Sequence, residues 1–143
     1  MKENEINALD ELSKGSCMGI DAINFIMDKV TDSNLKEELE RQCNEYKEIA
    51  SKVEKIYKDY SDSEPHETNI VNKAMTWYGI EMKTLTDEST SKIAELLMQG
   101  TNMGIIEGRR LLNRKDLEPK VDKLISEYVN MQEKAVEKLK NFL

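Results

Sequence analysis

Four acidic residues are the side chains of this sequence whose type and spacing could support metal chemistry. In helical di-metal proteins, two helices each supply a glutamate and two others each supply a Glu-x-x-His pair, and these ligands leave coordination positions open for oxygen. Glu107 falls on the same helical stripe as Gly100 and Gly104, which predicts that it points inward. The other acids that could approach it are Asp21, Glu45 and Glu127.

The histidines that such a site needs are missing from the sequence. The single histidine, His66, follows Pro65 in a polar stretch, where a histidine is more often a surface residue than a ligand. No Glu-x-x-His motif occurs in the chain. Two interpretations of the four acids remain. Either they form a degenerate all-carboxylate site for iron or manganese, or Glu107 pairs with Arg109 or Arg110 and no metal binds. We favour the second, and expect no cofactor.

No other motif in the sequence indicates a catalytic reaction. The sequence has no phosphate loop and no nucleophile elbow. The two cysteines, Cys17 and Cys43, form neither a CxxC motif nor a disulfide framework, and they suit a reducing compartment. Catalysis is therefore not favoured, although the sequence does not decide whether the protein is an enzyme.

Charge and hydropathy exclude some partners. The net charge of -7 leaves no basic stripe to neutralise phosphates, so nucleic acid is not expected as a partner. No apolar run is long enough to span a bilayer, and the first residues lack the layout of a signal peptide. We expect a cytoplasmic protein with no membrane association, formed as a single domain over residues 1–143.

Hydrophobic spacing of three and four residues predicts an all-α protein. Capping residues at Thr31–Asn34, and prolines at 65 and 119, separate the periodic stretches. Long helices are expected at about 4–30, 34–60, 91–114 and 118–142, with a shorter helix at about 69–85.

A six-residue segment occurs twice in the chain with similar sequence. Gly15-Ser16-Cys17-Met18-Gly19-Ile20 returns as Gly100-Thr101-Asn102-Met103-Gly104-Ile105. The second and fourth long helices also match, around Tyr46 and Tyr128. This ordered recurrence predicts two duplicated helical hairpins. They would be joined by a long crossover over residues 61–90 that carries the extra short helix, which is the connectivity of an up-down ferritin-like four-helix bundle.

The third long helix and the segment before it resemble a known family. The helix Lys92–Glu107, with the sequence KIAELLMQGTNMGIIE, and the preceding Trp77–Asp87, with the sequence WYGIEMKTLTD, are similar to small Firmicutes proteins of uncharacterised function, especially clostridial ones. The resemblance implies a ferritin-like four-helix bundle and supplies no catalytic residues.

The glycines in and near the repeated segment predict a packing surface. Small residues at helical spacing allow close approach of helices. Inside the protein they would bring the first and third long helices together; outside, they would form a dimer interface. We favour the inside placement. The residues concerned are Gly15, Gly19, Gly100, Gly104 and Gly108.

These observations leave three functional hypotheses. The leading one is a non-catalytic bundle that self-associates or binds a protein partner. The second is the degenerate carboxylate metal site described above. The third is a carrier of apolar ligands, because methionines fill irregular interiors and also coat adaptable binding surfaces. The surface proposed for a ligand or partner is the crossover helix, through Met75, Trp77 and Met82.

Overall fold

The structure is a computed structural model that describes residues 2–63, 65 and 73–143. Within these ranges the chain forms helices and no strand, so the expected all-α class is confirmed. The helices are α1 (Lys2–Ile26), α2 (Ser33–Tyr57), α3 (Lys73–Lys83), α4 (Thr90–Leu112) and α5 (Pro119–Leu139), with short 3-10 turns at Met27–Lys29 and Lys140–Phe142. The four long helices lie close to their predicted places. Residues 69–72 of the predicted short helix lie outside the described residues.

Capping side chains explain where the helices begin. Asp32 accepts a hydrogen bond from the backbone N–H of Leu35 at 2.9 Å and so caps α2. Ser89 caps α4 in the same way through the N–H of Lys92, at 3.3 Å. At the start of α5, Pro119 occupies a position where its missing N–H would have had no partner within the helix.

Side-chain bonds between helix ends fix the direction of each long helix. Asn4 at the start of α1 donates to Asp116, just after α4, at 2.6 Å. Tyr60, just after α2, donates to Glu118 at the start of α5 at 2.8 Å. At the opposite end, the Lys29–Glu88 ion pair of 3.1 Å joins the end of α1 to the start of α4. Therefore α1 and α5 run one way, and α2 and α4 run the other.

The chain between α2 and α4, which includes α3, joins opposite ends of the molecule. Each long helix packs against two neighbours, in the cyclic order α1, α2, α5, α4, and α3 packs on α4. Buried apolar side chains from all five helices form one core, and burying a leucine or isoleucine stabilises the fold by about 1.5–3 kcal/mol. The largest fully buried members include Leu9, Leu12, Leu39, Val53, Ile93, Ile125 and Leu139.

No described helix combines the length and the apolar character that crossing a bilayer would require.

Candidate functional site

A cavity of about 670 Å³ lies between α1 and α4. Side chains of α2 and α5 form its inner wall, and Met75 and Tyr78 of α3 contribute the side next to α4. The volume falls within the range of about 300–1,000 Å³ that is common for small-molecule sites. Apolar wall residues include Leu12, Met18, Ile23, Leu97, Met103 and Leu111.

Glycines shape this cavity. Five of the six glycines line it: Gly15, Gly19, Gly100, Gly104 and Gly108. A Cβ added at Gly19 would lie 2.6 Å from the ring of Tyr46, and one at Gly108 would lie 2.5 Å from Val129 Cγ2. The sixth glycine, Gly79, is not on the wall and has no such neighbour within 4 Å.

The same geometry shows what the glycines pack against. An added Cβ at Gly15 would collide with the hydroxyl of Tyr128, and at Gly104 it would collide with the amide of Gln132. The glycine faces of α1 and α4 thus receive side chains from neighbouring helices. These side chains lie where the absent Cβ atoms would be, and the remaining space between the two helices is the cavity.

A cluster of three buried polar side chains forms the inner wall. Gln132 Nε2 donates to the hydroxyl oxygens of Tyr46 and Tyr128, at 3.3 Å each. The two tyrosine rings meet edge to face, with centroids 6.5 Å apart and an interplanar angle of 62°. The other amide atom, Gln132 Oε1, is buried and has no hydrogen-bond partner among the described residues.

Burial controls the ionisation of the cavity tyrosines. Desolvation raises the pKa of Tyr46, and the hydrogen bond donated by Gln132 opposes this in part. Burial also raises the pKa of Tyr78 and of Tyr128, and the negative charges of Glu11 and Glu107 add to the effect at Tyr128. A phenol is neutral near pH 7 even at its ordinary pKa, and burial moves the pKa of all three further from that range.

Charged side chains from α1 and α4 also line the cavity. Glu107 and Arg110 are half or more exposed, and Arg110 Nη1 donates to Glu107 Oε1 at 2.7 Å. Glu11 and Lys14 contribute the charges on the α1 side. Glu107 thus reaches the edge of the cavity and is paired there with an arginine.

The four candidate metal ligands have separate environments, and three of them are in ion pairs. Asp21 is exposed, Glu45 pairs with Arg41, and Glu127 accepts from Lys52 at 2.9 Å. Among the described residues, no group of three or more His, Cys, Asp or Glu side chains is placed to hold a metal ion. His66 lies outside the described ranges.

The crossover-helix residues proposed from the sequence have three different positions. Met75 lines the cavity, Met82 is buried in the core, and Trp77 is exposed on the surface of α3. The two cysteines form no disulfide bond, and Cys17 is exposed whereas Cys43 is buried. The three α3 side chains therefore do not form one surface, and only Met75 belongs to the cavity.

Sequence reasoning did not identify Gln132. The available signal was its position, because it lies four residues after Tyr128 and three before Ala135, on the apolar stripe of α5. A polar residue at a core position is unusual and needs hydrogen-bond partners. Those partners come partly from α2, which is 86 residues away for Tyr46, and spacing along α5 alone cannot reveal them.

Comparisons with known proteins found no matching family model, no matching curated protein and no matching solved structure, so the site is interpreted from its own geometry.

Proposed function

We propose that this protein is a non-catalytic binding protein for a small, largely apolar molecule, which occupies the cavity between α1 and α4. The observation that carries the proposal is the glycine-shaped cavity itself, with mainly apolar walls and a few buried polar side chains on its inner side. Small-molecule sites commonly combine an apolar lining with a few polar groups that fix the orientation of the ligand.

The residues around the cavity support binding without catalysis. Among the described wall residues there is no cysteine, histidine or serine to act as a nucleophile or a general base. Burial raises the pKa of Tyr46 and Tyr128, which makes them poorer candidates for a general base, and Glu107 is paired with Arg110. These groups can orient a ligand.

We also propose that the fold is a ferritin-like four-helix bundle. Its support is the parallel direction of α2 and α4, with the connection that carries α3 joining opposite ends of the molecule. Internal duplication has related support, because the repeated glycines lie on the two facing walls, and Ser16 and Thr101 are both buried at equivalent places. Tyr46 and Tyr128 likewise meet at the inner wall.

Nuclear magnetic resonance of ¹⁵N-glycine-labelled protein tests the binding proposal. Naphthalene is a suitable neutral apolar probe. Saturable shifts are expected for the five cavity glycines, while the Gly79 signal stays in place as an internal control. Failure of every cavity glycine to respond at saturating naphthalene would contradict the proposal.

A pair of variants separates the cavity from the surface in this experiment. Ala22 lines the cavity, and Asn24 is exposed on the same helix. Ala22→Phe should fill part of the space and weaken naphthalene binding at least tenfold, whereas Asn24→Phe adds the same side chain outside and should leave binding unchanged. Equal binding by the two variants would place the probe elsewhere.

Self-association and partner binding stay predictions from the sequence. Native mass spectrometry of the protein as purified tests them together with the carrier proposal, because it reports both the subunit number and any retained small molecule. A mass above that of the 16.5 kDa chain by a few hundred daltons would support a carried ligand. A doubled mass would support self-association.

A further inference from the structure

The chemistry of the buried polar cluster restricts which molecule the cavity can accept. Gln132 lies on the inner wall, is almost completely buried, and has an amide oxygen with no hydrogen-bond partner among the described residues. An acceptor left unpaired inside a protein costs free energy, and a ligand that donates to it removes that cost.

A hydrogen-bond donor lies beside this acceptor. The hydroxyl oxygen of Tyr128 accepts from Gln132 Nε2 at 3.3 Å, a bond that does not use the hydroxyl proton. A phenol that stays neutral can give this proton to a ligand. These two neighbouring wall residues therefore carry one donor and one acceptor.

The chemistry of the cluster argues against an anionic ligand. Glu11 and Glu107 on the cavity wall are accompanied by Lys14 and Arg110, so the wall carries both signs of charge. The cluster itself consists of uncharged side chains and has no cation to pair with a carboxylate. A carboxylate placed there would lose its hydration, and it has no proton for Gln132 Oε1.

Resting on the proposed function, we infer that the ligand is a neutral, mainly apolar molecule that carries a hydroxyl or a primary amide, anchored by Tyr128 and Gln132. A hydroxyl or an amide both donates and accepts, so one such group pairs with both side chains. The apolar remainder of the ligand then lies against the glycine faces and the methionines of α1 and α4.

Three matched probes test this inference on the ¹⁵N-glycine-labelled full chain at pH 7. They are naphthalene, naphthol and naphthoate, which share one ring system and differ in their polar group. Naphthol is expected to bind about tenfold more tightly than naphthalene, as one recovered buried hydrogen bond implies. Naphthoate is expected to bind at least tenfold more weakly than naphthol.

A variant pair ties the preference to the cluster. Gln132→Leu removes the amide while keeping a similar volume, so naphthol should lose its advantage over naphthalene. Gln99→Leu makes the same change on α4, away from the cavity wall, and should keep the tenfold advantage. The wild-type probe comparison decides the matter by itself if Gln132→Leu fails to fold.

The possible failures are distinguishable. If naphthalene and naphthol shift the cavity glycines with equal affinity, or if naphthoate binds most tightly, the inference is wrong and the proposed function stands. If none of the three probes shifts a cavity glycine, the proposed function fails and the inference fails with it.

Discussion

The hydroxyl-bearing end of the Tyr46 ring on α2 occupies the position that a side chain at Gly19 of α1 would take. Three ring atoms lie within 2.6–2.7 Å of the place where a Cβ would stand. Tyr46 is itself 4% exposed and hydrogen-bonded to Gln132, so it has little freedom to move aside. This contact makes a glycine necessary at a position inside a helix, where glycine otherwise costs about 1 kcal/mol relative to alanine.

Gly19→Ala is therefore expected to destabilise the protein despite the better helix propensity of alanine. Overpacking a core in this way costs about 1–3 kcal/mol, which exceeds the propensity gain. Urea unfolding followed by circular dichroism measures the difference. Gly79→Ala is the matched control, since its added methyl meets nothing within 4 Å, and it should gain up to about 1 kcal/mol. Equal stability of the two variants would contradict this account of Gly19.

A larger side chain at Gly104 tests whether the glycines of α4 face the interior. A Cβ there already collides with the Gln132 amide, so Gly104→Leu should cost about 3 kcal/mol or more and unfold much of the monomer. Gly79→Leu places the same side chain in open space and should remain folded. A folded Gly104→Leu monomer with normal stability would show that this face is not packed inside.

Removal of tyrosine hydroxyls should affect stability non-additively. Gln132 Nε2 donates to both Tyr46 and Tyr128, so either single Tyr→Phe variant leaves it one acceptor and should cost about 0.5–1 kcal/mol. The double variant leaves a buried N–H with no acceptor from this pair. Its loss in the free energy of unfolding should exceed the sum of the single losses, as a double-mutant cycle would measure. Strict additivity would mean that the shared donor is satisfied in another way.

Stability should decrease at alkaline pH because every tyrosine is harder to ionise in the folded protein. For Tyr60, burial and the 2.8 Å hydrogen bond to Glu118 raise the pKa to about 12. The pKa is also raised for Tyr46, Tyr57, Tyr78 and Tyr128. An unfolded tyrosine ionises near pH 10. Between about pH 10 and 12 the unfolded chain thus binds fewer protons than the folded one, and the free energy of unfolding falls as pH rises.

Urea titrations over this range, with tyrosinate absorbance recorded in parallel, check the alkaline prediction. Below about pH 9 the tyrosine contribution should be constant. Tyr60→Phe lacks one of the ionising groups, so its stability should fall less steeply above pH 10 than that of the wild type. Tyrosines that ionise near pH 10 in a still-folded protein would show that burial does not hold them neutral.

Sequence periodicity located the helices because each long helix has an apolar stripe and a recognisable start. The stripe carrying Leu35, Leu39, Tyr46 and Val53 is buried in the structure as expected. Capping by Asp32 and the position of Pro119 fixed two helix starts to within a residue or two. Both signals are local, so a single sequence can supply them.

The candidate site depends on relationships that are not local. Spacing indicated that the glycines share a helix face, but it could not show that tyrosines of α2, α3 and α5 would lie against them. Glu107 illustrates a related difficulty. A residue near the edge of an apolar stripe can turn toward solvent, and Glu107 pairs there with Arg110. Which side chains meet across helices is decided by the packing of the whole molecule.

The five cavity glycines also have a consequence for how a ligand enters and leaves. Helical backbone has no rotamers, so the part of the wall formed by glycine keeps its shape whether or not the space is filled. The methionines that line the same space, Met18, Met75 and Met103, are the flexible part of the wall, because their side chains turn about three bonds. For the proposed ligand, the rigid backbone would set which molecular shapes fit, and the motion of the methionine side chains would set how fast the ligand exchanges.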